Sequence, residues 1–316
     1  MMQRALITGC NGFVGSALVA RLQAAGVEVR GVDRADSSDV LDPKHYLAGD
    51  LTDAAFVGEV ISSSRVDCIV HLAAQASVKR SFDDPVGTLS DGTLPTLHVL
   101  EHLRRSGTKA RVLLVGSADE YGISNELGRM PIPEIHPVHP TSPYALAKSI
   151  QNQYGVMYGA LYGVDTVMTR SFNHTGPGQR EDFVLASFAR QVAEIRRGKR
   201  KPVMHVGDLD VRRDFLDVRD VCGAYLVLLE KGRRGETYNV CSGNSYRIRD
   251  LLEKMCDLAG VQVAIEVDPS RLRPVDMREL RGDPSKIREH TGWEARIPIE
   301  ETLRSMLEDW DRKLAA

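Results

Sequence analysis

The chain has 316 residues, 42% of them hydrophobic and 27% charged, with a formal net charge of -2. That balance argues against nucleic acid or an anionic membrane surface as a partner. No apolar run nears the ~18 residues of a membrane span. The five cysteines are scattered with no C-x-x-C pair, which supports neither a zinc site nor a disulfide framework. These features lead us to expect a cytoplasmic, reduced protein with no metal, whose N-terminus enters the first strand without room for a signal peptide.

The first stretch sets the class. Residues 5–8 read as a buried strand, followed by Gly9-Cys10-Asn11-Gly12-Phe13-Val14-Gly15 and then a helical spacing of apolar residues. Strand, glycine turn and helix are half of a dinucleotide-binding unit. Gly9 suits a turn with positive φ, Gly12 lets a pyrophosphate near the backbone, and Gly15 lets the helix pack closely on the strand. The turn residues Asn11, Phe13 and Val14 join them as cofactor contacts. The second strand, 27–33, ends in Asp33, placed to accept from the adenosine ribose hydroxyls. A carboxylate there favours NAD(H) over NADP(H), although Arg34 could pair with a 2′-phosphate.

Further strands are expected at 67–72 and 111–116, with helices at 54–63 and 96–105. Such alternation predicts an α/β fold: a doubly wound, Rossmann-type parallel sheet. Asp50, next to Leu51, is placed either to reach the adenine or to lie before a helix capped by Thr52 or Asp53. The small residues of Leu72-Ala73-Ala74 let a cofactor lie across the strand ends. Pro95 should delay the helix after Pro85, so that its regular part begins near Pro95 or Thr96.

Tyr144 and Lys148 stand four residues apart, on one face of a helix that opens with Pro143. A lysine ammonium about 4 Å away is expected to bring the tyrosine down from its ordinary pKa of about 10. Ser117, at the end of the fifth strand, is either a hydrogen-bond donor to a substrate carbonyl or a turn-capping serine. Beyond about residue 171 the alternation loosens. Helices are expected at 183–197, 221–230 and 248–259, and strands at 212–218 and 236–241, the last returning to the first sheet. The resulting division is a nucleotide-binding domain of 1–172 plus about 216–243, and a smaller, discontinuous C-terminal α/β substrate domain of about 173–215 plus 244–316.

The glycine triplet, Asp33, Ser117, Tyr144 and Lys148 together resemble the extended short-chain dehydrogenase/reductase superfamily. Residues 171–179, 207–215, 238–243 and Leu272-Arg273-Pro274 resemble its GDP-mannose 4,6-dehydratase group and the reductases related to it. The resemblance implies that Asn173, Val184, Arg190, Arg213, Arg273 and Asp276 contact a GDP-linked 6-deoxyhexose. Arg212 and Arg213 could instead pair internally with Asp214 or Asp217. His174 could be a ligand or base, or a loop histidine satisfied by the backbone. Sugar-nucleotide dehydratases carry a glutamate where this chain has Asp119, and the thymidine-sugar enzymes an aspartate where it has Ala118. Alanine cannot move a proton, and Asp119 is one methylene short. The implied activity is therefore reduction of the 4-keto group of GDP-4-keto-6-deoxy-D-mannose to GDP-D-rhamnose, with Tyr144, Lys148, Ser117 and Asp119 at the catalytic centre. A dehydratase or 4-epimerase, which keeps NAD oxidised between turnovers, is the alternative enzyme. A non-catalytic nucleotide sensor is the alternative class. Gly92 and Pro95 depart from the family's usual asparagine and glycine. The resemblance also implies a homodimer through the helix carrying Tyr144, by way of Ala147, Ile150, Tyr154 and residues 157–161.

Overall fold

The computed structural model describes residues 2–122, 130–272 and 277–315. The first half alternates as its sequence pattern requires: β1 (Arg4–Thr8), α1 (Phe13–Ala24), β2 (Glu28–Asp33), β3 (Tyr46–Ala48), α2 (Ala54–Ser64), β4 (Cys68–His71), α3 (Val78–Asp83), α4 (Pro85–Ser106), β5 (Arg111–Ser117), α5 (Pro143–Leu161) and β6 (Thr166–Ser171). The second half runs β7 (Asn173–Thr175), α6 (Val184–Arg196), β8 (Val203–Val206), β9 (Arg212–Arg213), β10 (Phe215–Asp217), α7 (Val218–Lys231), β11 (Thr237–Val240), β12 (Tyr246–Arg247), α8 (Ile248–Ala259), β13 (Ala264–Val267), β14 (Glu279–Leu280), α9 (Ser285–Thr291) and α10 (Ile299–Ala315).

Seven parallel strands form the main sheet, in the order β11-β6-β5-β4-β1-β2-β3. β1 lies between β4 and β2, with Ile7 opposite both Val70 and Gly31. The chain therefore winds outward in both directions from β1. The crevice at that reversal, beyond the carboxyl ends of the strands, is where such sheets take ligands. Both faces are covered, and the central strands are correspondingly buried along nearly their whole length. One apolar cluster packs α1 and α7 against the sheet, with Leu18, Leu22 and Tyr225. Another packs α2, α4 and α5 on the opposite side, with Val57, Leu100 and Tyr158. A third cluster stands apart among α6, α8 and α10, built from Phe188, Met255 and Leu303.

Two expectations need correction. α4 does not wait for Pro95 but runs unbroken from Pro85, its N-terminus capped by Asp84. Pro95 is buried inside it, so the packing of α4 outweighs the lost backbone donor. The strand expected at 212–218 is split in two at Asp214. This buried carboxylate accepts from the backbone amides of Ser242, Gly243 and Gly282 and from the Ser242 hydroxyl. Satisfying those donors turns the chain out of a continuous ladder.

Candidate active site

The glycine turn is built by close contacts. Gly9 has φ of +70°, and its amide donates to Val32 O at 2.8 Å. A Cβ on Gly9 would lie 3.0 Å from the Ala73 amide, so the ends of β1 and β4 meet there. A Cβ on Gly15 would lie 2.2 Å from Gly9 O and 2.9 Å from Cys10, so Gly15 admits the turn itself against the helix. Gly12 stands at the N-cap of α1, where no side chain caps the helix. Its first-turn amides and the positive end of its dipole suit a pyrophosphate. The Thr8 hydroxyl oxygen accepts from Leu72 and Ala73 amides, both at 3.1 Å, and fixes the floor beside Ala74. Phe13 stacks on His174 with ring centroids 6.2 Å apart, joining the turn to β7, and Val14 packs into the core below α1. These glycines and uncapped amides fit a dinucleotide.

Asp33 closes β2 where a ribose would lie. One of its oxygens accepts from the Asn11 amide at 3.1 Å and the other from the Arg34 amide at 2.8 Å. The Arg34 guanidinium is engaged by Asp91 through two bonds of 2.8 Å, and by Asp50 at 3.1 Å. Asp50 also accepts from the Thr52 amide, while Asp53 caps α2. Leu51 is buried, and its carbonyl meets His98 at 3.1 Å.

The catalytic candidates converge where β5 ends and α5 begins. Ser142 caps α5 and Pro143 opens it, which sets Tyr144 in the first turn. Tyr144 lies close enough to Ser117 for the serine side chain to offset part of the upward push on the phenol. Ser117 also caps the short turn after β5, its hydroxyl oxygen accepting from the Asp119 amide at 3.2 Å. The capping role expected of Ser117 is therefore present. Lys148 corrects the expected pairing. Its Nζ donates to Val115 O at 2.7 Å and Gln151 Oε1 at 3.3 Å. Burial pulls the ammonium down to about 8, opposed by the charge of Glu120. Burial, then the Asp119 carboxylate, push Tyr144 well above its ordinary value. Burial first, and then the charges of Asp119 and Glu120, keep the phenol protonated.

Glu120 and Arg170 carry no motif that marks them in the sequence. Ser117 and Glu120 do have the three-residue spacing of a capping box, which is the signal that could have found Glu120.

On the substrate side, Asn173 lies in β7 beside Phe215 of β10, half-buried. His174 lies in strand β7 rather than in a loop, but is satisfied by the backbone, its Nδ1 meeting Phe172 O at 2.9 Å, and burial lowers its pKa. Arg213 is buried and donates to the carbonyls of Arg212 and Met277, both at 2.8 Å. Arg212 bonds Ser245, and Asp217 pairs with Arg219 at 2.8 Å. Arg190 pairs with Glu181 and Glu194 and covers Trp310. Val184 opens α6 and is exposed. Arg273 and Asp276 lie outside the described residues. Among the described residues no cluster of three metal-ligating side chains occurs, and no helix is long and apolar enough to cross a membrane.

A seven-stranded Rossmann sheet with this glycine turn and a Ser-Tyr-Lys centre defines an extended short-chain dehydrogenase/reductase. The family described as GDP-mannose 4,6 dehydratase matches residues 6–306, and the chain belongs to it. It is 39% identical over 314 residues to the GDP-6-deoxy-D-mannose reductase of Pseudomonas aeruginosa, covering 99% of each chain. It is 29% identical to a GDP-mannose 4,6-dehydratase of Vibrio cholerae, over 100% of this chain and 95% of that one. The solved structure of RMD from Pseudomonas aeruginosa complexed with NADPH superposes with a TM-score of 0.87 at 37% identity, covering 98% of this chain and 99% of that one. UDP-glucose 4-epimerase from Thermus thermophilus, complexed with NAD, gives 0.86 at 29% identity over 98% and 99%.

Proposed function

We propose that this protein reduces the 4-keto group of GDP-4-keto-6-deoxy-D-mannose with NAD(P)H and releases GDP-D-rhamnose. The observation that carries this reading is the placement of Tyr144, in the first turn of α5, together with a turn after β5 that carries Ala118 and Asp119. Ketone reduction needs a proton donor at the forming alkoxide. Dehydration and epimerisation begin by oxidising an alcohol and need a base in that place. Dehydration also needs an acid and a base around C5 and C6, which Ala118 cannot supply. The similarity to the reductase of Pseudomonas aeruginosa supports the same choice.

In this reading the Ser117 hydroxyl holds the C4 carbonyl, and the Tyr144 hydroxyl gives its proton to the oxygen as charge develops there. Lys148 supports the resulting tyrosinate as a buried cation. A nicotinamide bound over the crevice supplies the hydride. Asn173, Arg213 and Arg273 hold the GDP moiety, arginine being suited to bidentate phosphate contact. Asp33 favours NAD(H), since a 2′-phosphate would meet its carboxylate. The nucleotide-binding unit is 1–172 with about 216–243, and the remainder holds the sugar nucleotide. A homodimer forms through α5, whose Leu146, Met157 and Leu161 are exposed at helical spacing, whereas Ala147 is buried. The five thiols, all free and buried, suit a cytoplasmic location.

The test is a coupled assay with GDP-mannose, a GDP-mannose 4,6-dehydratase and either NADH or NADPH. Oxidation that requires the dehydratase, with GDP-D-rhamnose as product, supports the reading. Conversion of GDP-mannose by this protein alone makes it a dehydratase instead.

A further inference from the structure

Behind Ser117 lies a charged group that the reaction does not touch. The Glu120 side chain is fully buried, directly after β5. Its Oε1 accepts from the Ser117 amide at 2.9 Å, and its Oε2 from Arg170 Nε at 3.3 Å. Gly116 makes the room, since a Cβ there would lie 2.4 Å from Oε1. Arg170, almost as buried, donates to Glu134 O at 2.9 Å and sits 4.7 Å over the Tyr121 ring. Tyr121 in turn donates to Asn239 Oδ1 at 2.7 Å, and the Asn239 amide to Glu134 Oε1 at 2.8 Å. The His139 amide donates to Glu120 O at 3.0 Å, in the segment that leads into α5. One network therefore ties the ends of β5 and β6, the strand β11 and the approach to Tyr144.

A buried ion pair is a poor way to gain stability, because desolvation offsets the attraction. Its position suggests another use. We propose that Glu120 is a positioning residue for the reduction, fixing Ser117 through its amide and sustaining the Lys148 ammonium with its buried negative charge. Glu120 is faced by Arg170 from β6 and by Lys148 and Tyr144 from α5. Lys148 is faced also by His71 from β4, which burial holds neutral. Asp119 faces Tyr144, and Glu134 faces Tyr121. Among these described groups, Glu120 supplies the charge that opposes the desolvation of Lys148; burial raises its carboxyl to about 7 against the pull of Arg170, so the charge is present above neutrality.

The inference rests on the reductase reading for its kinetic arm only. In Glu120→Gln, kcat should fall about tenfold or more, as for loss of a charge-assisted contact, with KM for sugar and cofactor within about twofold. The alkaline limb of kcat should move down by about half a pH unit or more. NMR titration of the full chain, its lysines isotope-labelled at Cε and Lys148 assigned by Lys148→Arg, should show the same fall in the Lys148 midpoint. Glu120→Asp keeps the charge but cannot reach the Ser117 amide, so kcat should fall with the limb unmoved. It also serves if Glu120→Gln does not fold. A Lys148 midpoint unchanged in Glu120→Gln, or full kcat in Glu120→Asp, overturns the proposal. A wild-type protein that leaves NAD(P)H unoxidised overturns the reductase reading instead, and the lysine titration still judges Glu120.

Discussion

A Cβ placed on Gly92 would lie 2.7 Å from the Cβ of Ala147, so α4 and α5 meet more closely than any side chain at position 92 allows. Ala147 directly precedes Lys148, so the contact lies beside the lysine on α5. The family resemblance implies an asparagine at about this position. Gly92→Asn should not improve the enzyme. It should overpack the helix pair, at a cost of about 1–3 kcal/mol. A lowered melting temperature together with reduced kcat is the expected outcome; unchanged values would mean the two helices can separate freely.

Tyr144 is held protonated by burial and by Asp119. Tyr144→Phe removes the proton but keeps the ring. Steady-state kinetics should show kcat lowered by about 10²–10⁴-fold, with KM for the sugar nucleotide nearly unchanged, because the contact acts in the transition state. Retained turnover would assign the proton to another group.

The pH dependence follows from Lys148, which burial lowers to about 8. Below that pH the ammonium is present and supports the developing tyrosinate. Above it the cation is lost, and kcat should fall. Tyr144 titrates higher still and adds no limb near neutrality, whereas Glu120, which burial raises to about 7, adds an acid limb as its charge is lost below that pH. A pH–rate profile that rises as Lys148 loses its proton would reverse the assigned role of Lys148.

Cofactor choice is expected to turn on Asp33. Its carboxylate repels a 2′-phosphate, while Arg34 is held by Asp91 and Asp50. Asp33→Ser should raise the NADPH to NADH ratio of kcat/KM by about tenfold or more, equivalent to about 1.4 kcal/mol. An unmoved ratio would place the discrimination elsewhere.

Much of this arrangement is legible in the residues. The glycine turn and the Tyr144–Lys148 spacing depend on short-range geometry, and α8 covers 248–259 as its apolar period requires. What escapes depends on contacts between segments far apart in sequence. The cost of Pro95 is visible locally, but the burial that overrides it is not. Lys148 shares a helix face with Tyr144, yet its shorter hydrogen bond goes to a carbonyl on β5. Arg190 suits a phosphate by type, but Glu181 and Glu194 already engage it. Glu120 reads as a turn residue until Arg170, fifty positions on, is brought against it.

The measurement that tests the central claim most directly follows the hydride. The 4-keto sugar nucleotide is reduced in a single turnover with NADH or NADPH deuterated at nicotinamide C4, and the sugar is read by NMR. Deuterium at sugar C4 of a GDP-6-deoxyhexose is the result expected for a 4-ketoreductase with Tyr144 as acid. Deuterium at another carbon, or none in the sugar, would contradict it.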